Sequence, residues 1–350
     1  MKKLQRNLSL KKLSLLVVVI FTLVACNNND ELKIELPVIE TIEITDKMYN
    51  QITVSGMIVS DGGDSITEQG VCWSNLSNPT IDDFSQKVDL SNEANFSVEV
   101  QNLNSNVEYY VCTYAINRKG ISYGKALSFT LWLNYQEESA KDIDGNSYKT
   151  IRIGDQVWMQ ENLKVTHYRN GDPITYYSMQ DDDKWLKTRS GAYCAFNDDE
   201  QNKDVSGFLY NGYAVFDERK ISPEGWHVPS KEELETLLNY LGGNFEAGHL
   251  LRKRTGWSDL DPITTNLSGF SALPGGVRLA YHNNDEDNKY TEFREAGKTG
   301  FYASSDKSES VYDVNSNRLW YIQIFYNGGY IQLNDNITQL SGQSIRCIKD

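Results

Sequence analysis

Three acidic runs are the first candidates for chemistry in this sequence. They lie at residues 181–183, 197–200 and 283–287. Carboxylate and amide oxygens in loops suit Ca²⁺, but no run reproduces the spacing of an EF-hand loop. We therefore interpret the runs as solvated loops and expect no metal centre. Calcium binding in the last run, at Asp285 and Asp287, is the alternative.

His227 is the histidine in the most suggestive context, a Gly-Trp-His-Val-Pro segment directly before a predicted helix. A histidine needs an acidic partner to act in catalysis, or co-ligands to hold a metal. Neither His-x-x-x-His nor His-x-x-Glu spacing accompanies it. We expect a structural side chain that is hydrogen-bonded under the start of the helix.

Aromatic residues crowd the C-terminal third of the chain and could bind sugar rings. They include Tyr281, Tyr290, Phe301, Tyr302, Trp320, Tyr321, Phe325, Tyr326 and Tyr330. Sugars stack on aromatic faces, and Asn or Asp neighbours bond their hydroxyl groups. We expect most of these rings to be core, and we name Tyr302, Trp320, Asp285 and Asp287 as ligand-binding candidates.

The helix after His227 is predicted by its capping sequence and its hydrophobic spacing. Ser230 and Glu233 form a capping box, in which each side chain bonds the backbone amide of the other. Leucines then follow at the i, i+3, i+4 and i+7 positions of residues 234–241, and Gly242 suits the end of the helix. These residues predict a helix of about three turns.

Residues 38–131 show short alternating strands separated by turn signals, which is typical of an all-β sandwich. The strand around Tyr109 resembles the tyrosine-corner strand of fibronectin type III-like domains. No cluster of titratable residues accompanies it. We therefore expect this domain to be a spacer or a docking module.

Two cysteines lie in this first domain. The alternation that places Val111 and Thr113 inward points Cys112 outward. We expect Cys72 in the core, so the sequence predicts two separate free thiols.

Composition and charge exclude two classes of protein. The chain has 350 residues, a length typical of two domains, and a formal net charge of −14. This acidic balance excludes non-specific binding to nucleic acid through a basic face. A hydrophobic content of 39% with 11% aromatic residues excludes intrinsic disorder.

The N-terminus predicts export. Residues 1–25 hold five basic residues, no acid and an apolar core of 13 residues, which is typical of a signal peptide and too short to span a bilayer. The sequence Leu23-Val24-Ala25-Cys26 resembles a bacterial lipobox, which implies lipidation of Cys26. An ordinary signal peptide with an incidental cysteine is the alternative. Loss of the leader's five positive charges would change the net charge from −14 to −19.

Residues 26–37 then form a polar tether. Its acidic residues resemble the surface-export signal of Bacteroidota-type lipoproteins. We expect a lipid-anchored protein of the outer membrane, displayed at the cell surface, that contacts the membrane through its anchor only.

Residues 141–350 follow a short polar segment, 132–140, which we interpret as a linker. Their motifs include Asp144-Gly145-Asn146-x-Tyr148, Gln156-x-Trp158-Met159, Gly225-Trp226-His227-Val228-Pro229-Ser230, Gly269-Phe270-Ser271-Ala272-Leu273-Pro274-Gly275-Gly276 and Ser344-Ile345-Arg346-Cys347. In this order they resemble the Fibrobacter succinogenes major paralogous domain. The match departs locally at 301–304 and at Ser222. The resemblance implies a C-type-lectin-like α+β fold, rich in loops and distantly related to the formylglycine-generating enzymes.

Cys194 and Cys347 both lie in this second domain. The active-site motifs of the formylglycine-generating enzymes are not recognisable around them, so we expect no enzymatic activity. We name the two cysteines as a disulfide candidate in an oxidising compartment, although sequence alone does not fix their connectivity. Arg346 is expected to pair with an acid.

Together these features predict a non-catalytic cell-surface lipoprotein that binds an extracellular glycan or protein. One alternative is a structural or assembly subunit of an outer-membrane surface complex. The other is a degenerate relative of the formylglycine-generating enzymes, which requires Cys194 and Cys347 to be reduced and close together.

Overall fold

The computed structural model of the protein describes residues 33–90, 94–199, 201, 203, 206–259, 262–282, 289–308 and 317–350. Strands dominate these ranges and helices are few and short, so the predicted predominance of β-structure is confirmed. No helix within these ranges is long and apolar enough to cross a membrane. The predicted leader, Cys26, Asp285 and Asp287 lie outside the described residues.

Alternating apolar residues build the first domain from two facing antiparallel sheets. The first sheet has the order β1 (Val38–Thr45), β2 (Ile52–Ser60), β5 (Asn95–Val100). The second has the order β4 (Phe84–Val88), β3 (Glu68–Ser74), β6 (Glu108–Asn117), β7 (Gly120–Tyr123), and β8 (Leu127–Thr130) also pairs with β6. The core between the sheets includes Ile52, Val54, Val71, Phe96, Val98, Val100 and Val111.

Tyr109 fastens the loop that precedes β6. Its hydroxyl accepts a hydrogen bond from the backbone N–H of Asn104 at 3.4 Å. Its ring stacks on Phe129 of β8, with 5.7 Å between the ring centroids. The loop is thereby tied to the same edge of the core as β8.

The two cysteines of the first domain lie together on the outer face of the second sheet. Cys72 of β3 and Cys112 of β6 are directly opposite in the antiparallel register, and their Sγ atoms are 3.4 Å apart. The prediction of two separate thiols was wrong, because residues directly opposite in neighbouring strands point to the same side of a sheet. Tyr114 and partly buried aliphatic residues, including Ile81 and Ile121, pack over this face.

The second domain begins one strand earlier than the sequence indicated. Residues 132–140, predicted to be a linker, form most of β9 (Leu133–Lys141), which pairs with β10 (Ser147–Ile153). That prediction was wrong because an edge strand can be largely polar and still pair. The sheet has the order β15 (Trp226–His227), β21 (Ile348–Lys349), β11 (Gln156–Met159), β10, β9.

The other strands of this domain form three smaller sheets. They are β18 (Thr299–Ser308), β19 (Arg318–Phe325) and β20 (Ile331–Thr338); the hairpin β16 (Val277–His282) and β17 (Lys289–Arg294); and β12 (Thr175–Tyr176), β13 (Ala192–Cys194) and β14 (Leu209–Tyr210). The helices are α1 (Asp182–Lys187), α2 (Gly212–Val215), α3 (Lys231–Tyr240) and α4 (Ala247–Leu251), with short 3-10 turns at Met179–Asp181 and Phe196–Asp198.

Helix α3 starts with the predicted capping box. Ser230 Oγ accepts the backbone N–H of Glu233 at 3.1 Å, and the Glu233 carboxylate accepts the N–H of Ser230 at 2.7 Å. The leucine stripe of the helix is buried in a core that also contains Trp158 and Phe270. The predicted helix is confirmed.

Candidate functional site

The hairpin β16–β17 carries a stacked pair of tyrosines on one face. Tyr281 and Tyr290 are direct partners, with ring centroids 4.8 Å apart and 26° between the ring planes. Tyr290 is 45% exposed, and Tyr281 is half-buried. Alternation places Glu292 and Arg294 on the same face of β17 as Tyr290. We call these four residues the tyrosine face.

Ring surface and charged groups lie side by side on the tyrosine face. Arg294 Nη2 lies 2.8 Å from Glu292 Oε2, and the guanidinium carbon is 5.8 Å from the centroid of the Tyr281 ring. The hydrogen bond to Glu292 raises the pKa of Arg294. Rings of this kind can stack on a sugar while the charged groups bond its hydroxyls. The segment between the two strands contains the predicted ligands Asp285 and Asp287.

A buried arginine anchors the hairpin from its opposite face. Arg278 donates to Asp182 Oδ1 at 2.5 Å, to Thr291 Oγ1 at 3.1 Å and to the carbonyl oxygen of Tyr177 at 3.1 Å. Its guanidinium carbon lies 4.2 Å from the centroid of the Trp185 ring. These bonds tie both strands to α1, so the tyrosine face rests on a fixed base.

A second exposed aromatic pair lies away from the hairpin. Phe245 follows α3 and is 75% exposed, while Tyr330 precedes β20 and is 40% exposed. Their ring centroids are 5.2 Å apart, with 31° between the planes. Exposed apolar rings of this kind suit contact with another protein.

Tyr302 is a core residue, so its prediction as a ligand-binding residue was wrong. It is 1% exposed on β18. Its hydroxyl accepts the N–H of Leu273 at 2.8 Å and donates to the carbonyl oxygen of the same residue at 3.0 Å. Both polar functions of the side chain therefore serve the fold.

Trp320 lies half-buried on β19, beside the start of α3. Lys231 Nζ is 4.6 Å from the centroid of its ring. The backbone N–H of Lys231 donates to Asp306 Oδ2 at 2.6 Å, which holds the lysine in place. Ligand binding at Trp320 stays a prediction, and a ligand stacking on this face of the ring would displace the ammonium group.

Cys194 and Cys347 are separate free thiols, so the predicted disulfide between them was wrong. Cys194 packs with Trp185 and Leu209, whereas Cys347 belongs to the large core around Met159. Burial raises the pKa of each thiol to about 12. A thiol held protonated is a poor nucleophile at neutral pH.

His227 links the start of α3 to Asp350 through both of its ring nitrogens. Its Nε2 lies 2.9 Å from Glu233 Oε1, and its Nδ1 lies 2.7 Å from Asp350 Oδ1. Burial opposes the charged ring, but the hydrogen bonds to Asp350 and Glu233 outweigh burial and raise the pKa of His227.

Arg346 is fully buried and bonds to neutral acceptors, so the expected pairing with an acid was wrong. It donates to Asn162 Oδ1 at 2.6 Å, to the carbonyl oxygen of Met159 at 3.2 Å, and to that of Phe270. The sequence did not lead us to Arg278 as the residue that anchors the hairpin. The only available signal was an arginine between apolar residues near the start of the strand Val277–His282.

No group of three or more His, Cys, Asp and Glu side chains could hold a metal ion within the described ranges. A cavity of about 500 Å³ lies where the two domains meet. Asp46 and Lys47 line it from the first domain, and Asp155 and Tyr240 line it from the second. None of the predicted site residues lines this cavity.

The comparisons with known proteins bear on the second domain. A family model described as the Fibrobacter succinogenes major domain matches residues 151–349. A comparison with curated proteins gives no match.

Two solved structures of titin segments also match parts of the chain. Domains A168-A170 from titin are 17% identical, with a TM-score of 0.20, over 28% of this chain and 32% of that one. Titin kinase and its flanking domains are 12% identical, with a TM-score of 0.21, over 36% of this chain and 29% of that one. The chain thus spans about a third of each titin structure.

Proposed function

This chain belongs to the Fibrobacter succinogenes major domain family, and on that premise we propose that it is a non-catalytic cell-surface lipoprotein whose second domain binds an extracellular glycan. The observation that carries the proposal is the tyrosine face. Tyr281 and Tyr290 present stacked rings, Arg294 and Glu292 lie beside them, and Arg278 fixes the strand beneath. A protein ligand is the alternative.

The physical case for a glycan rests on pre-organisation. A sugar ring gains affinity by stacking on an aromatic ring that is already half-exposed and held in place. Arg294 supplies donors and Glu292 supplies acceptors, so both hydrogen-bonding roles of a sugar hydroxyl have partners. Asp285 and Asp287 lie in the same hairpin sequence and would add carboxylates, with or without Ca²⁺.

The rest of the chain presents this domain outside the cell. Lipidated Cys26 anchors the protein in the outer membrane, residues 26–37 are the tether, and the net charge of −19 leaves the acyl chains as the membrane contact. The first domain is a fibronectin type III-like spacer, supported by the bond between Tyr109 and Asn104. Pairing of β21 with β11 brings the two ends of the second domain together, which supports a C-type-lectin-like arrangement.

A glycan array probed with the full chain tests the binding activity. We expect defined glycans to bind, and Tyr290→Ala to weaken binding about tenfold, which corresponds to about 1.4 kcal/mol. Tyr330→Ala is the matched control, because it removes an exposed tyrosine of a similar aromatic pair and should leave glycan binding unchanged. An array that stays blank both with calcium and with a chelator would contradict glycan binding.

A structural subunit of a surface complex is the second candidate, favoured by the exposed pair Phe245 and Tyr330. Affinity capture from envelope extracts would then yield a stoichiometric protein partner. Phe245→Ala should abolish capture while Tyr290→Ala leaves it intact, which is the reverse of the pattern expected for the glycan.

Display at the surface is tested on intact cells that carry the full chain. Added protease should remove the protein from untreated cells, and Cys26→Ser should release it from the membrane fraction. Protection of the chain until the outer membrane is broken would contradict surface display.

A further inference from the structure

The thiols of Cys72 and Cys112 lie against each other, closer than any other two thiols among the described cysteines. They are 0% and 2% exposed, and their Sγ atoms are 3.4 Å apart. Each Sγ also lies 3.5 Å from the carbonyl oxygen of Pro79. The two thiols therefore share one backbone acceptor and otherwise hydrogen-bond to each other.

The backbone geometry of this pair suits a covalent bond. Directly opposite residues of antiparallel strands have Cα atoms about 4.5–5.5 Å apart, within the range of about 4.4–6.8 Å seen across disulfides. The register is fixed on both sides, because Val71 pairs with Thr113 and Trp73 pairs with Val111. Rotation of the two side chains closes the remaining gap between the sulfur atoms without a change of register.

Each of the two thiols also affects the protonation of the other. The hydrogen bond that it shares with Cys72 lowers the pKa of Cys112, although burial opposes this effect. The same bond and burial both raise the pKa of Cys72. The thiolate is the reactive form in disulfide exchange, so exchange begins once either thiol has lost its proton.

We propose that Cys72 and Cys112 form a cross-strand disulfide while the first domain folds, by exchange with a disulfide-bearing oxidant. The thiolate of one of the two cysteines attacks one sulfur of the oxidant's disulfide, which gives a mixed disulfide and releases the oxidant's other sulfur as a thiolate. The other cysteine then loses its proton and attacks the sulfur of the first, which breaks the mixed disulfide. The oxidant gains two electrons and two protons and leaves as thiols, and the protein gains one S–S bond.

Exchange has to precede closure of the outer face. In the folded domain Tyr114, Ile81 and Ile121 pack around the two sulfur atoms, so an oxidant reaches them only while β3 and β6 have paired and that face is still open. The bond then links residues 40 positions apart, across the segment that holds β4 and β5. A closed loop of this length restricts the unfolded chain.

Refolding of the full chain tests the proposal. Reduced, denatured protein is diluted into a mixture of oxidised and reduced glutathione, free thiols are alkylated in denaturant, and the peptides are mapped by mass spectrometry. We expect a linked peptide pair containing Cys72 and Cys112, two hydrogens lighter than the reduced pair, with Cys194 and Cys347 alkylated. Alkylation of both Cys72 and Cys112, their mixed disulfides with glutathione, or links to Cys194 or Cys347 would each overturn the proposal.

A melting experiment supplies a second, independent readout. Reduction should lower the unfolding midpoint of the first domain by roughly 10 °C. Cys194→Ala, which removes a buried thiol of the other domain, should keep this difference, and Cys112→Ala should abolish it. If Cys112→Ala does not fold, the peptide map of the unaltered chain still decides. Equal midpoints for the oxidised and reduced chains would contradict a stabilising bond.

Discussion

The two domains satisfy their backbone hydrogen bonds by different means. The first domain, residues 38–131, contains a single arginine, Arg118, whose side chain is 73% exposed. Its long strands bond to each other, and its core is almost entirely apolar. The second domain buries three arginines completely: Arg252, Arg278 and Arg346.

In the loop-rich second domain, these buried arginines bond to backbone carbonyl oxygens that neighbouring strands would otherwise pair with. Arg252 donates to the carbonyl oxygens of Phe325 at 2.6 Å and Gly328 at 2.5 Å, and Arg346 donates to those of Met159 and Phe270. A guanidinium has five donors in a rigid fork, so one side chain can satisfy several loop carbonyls. This difference shows that an irregular fold can satisfy its backbone carbonyl oxygens with side-chain donors. The fold must then bury the positive charge of each arginine.

Replacement of Arg346 is expected to have the largest effect. Arg346→Leu should lower the free energy of unfolding of the second domain by about 4 kcal/mol, because it leaves buried acceptors on Met159, Phe270 and Asn162 without donors. Denaturant unfolding followed by separate probes of each domain measures it. Arg118→Leu, an exposed arginine of the first domain, is the matched control and should change stability by less than about 0.5 kcal/mol. Similar losses of unfolding free energy in the two variants would contradict the difference between the two domains.

Truncation of a core residue should have the next largest effect, and it tests the apolar core of the first domain. Ile52→Ala should destabilise the first domain by about 3 kcal/mol, since Ile52 is fully buried between the two sheets. The same unfolding experiment should show the second domain's transition unmoved. If both transitions shift together, the domains unfold as one unit, which would contradict a separate source of stability in each domain.

The smallest expected effect is the pH dependence at His227. Its folded pKa is raised, so the stability that it contributes is fully present below its unfolded pKa of about 6.5 and is lost as the pH rises through the folded value. The contribution should stay below about 1 kcal/mol, because the side chain is more than a third exposed and solvent screens it.

His227→Gln should therefore flatten the pH dependence of second-domain stability across that window. The first domain contains no histidine, and its transition serves as an internal control. An unchanged slope in the variant would show that another group titrates there.

Local sequence patterns predicted the elements whose conformation is set by neighbouring residues. The capping box at Ser230 and the leucine spacing that follows it give α3, and strict alternation gives the strands of the first domain. Residues 132–140 could not be recognised as a strand, because an edge strand needs few apolar residues. Tyr302 was misassigned because its type suits both a sugar-binding site and a core, and only burial separates the two.

The sequence predicted that the candidate site would contain exposed aromatic residues, but it did not predict which ones. The sequence predicted that one part of the C-terminal aromatic cluster would be exposed, and Tyr281 and Tyr290 belong to that cluster. Their stacking depends on the register of β16 with β17, and the hairpin is anchored by contacts of Arg278 with residues about 100 positions away. No local pattern encodes such a contact.

By itself, the sequence determined the predominance of β-structure, helix α3 and, through its motifs, membership of the family, because each depends on nearby residues or on motif order. The tertiary structure alone decided which residues meet. It brought Cys72 against Cys112, kept Cys194 apart from Cys347, and set Arg346 on neutral carbonyl oxygens. The physical reason is that register and burial arise from contacts between distant segments, and these fix whether a thiol, a ring or a charge faces a partner, the core or solvent.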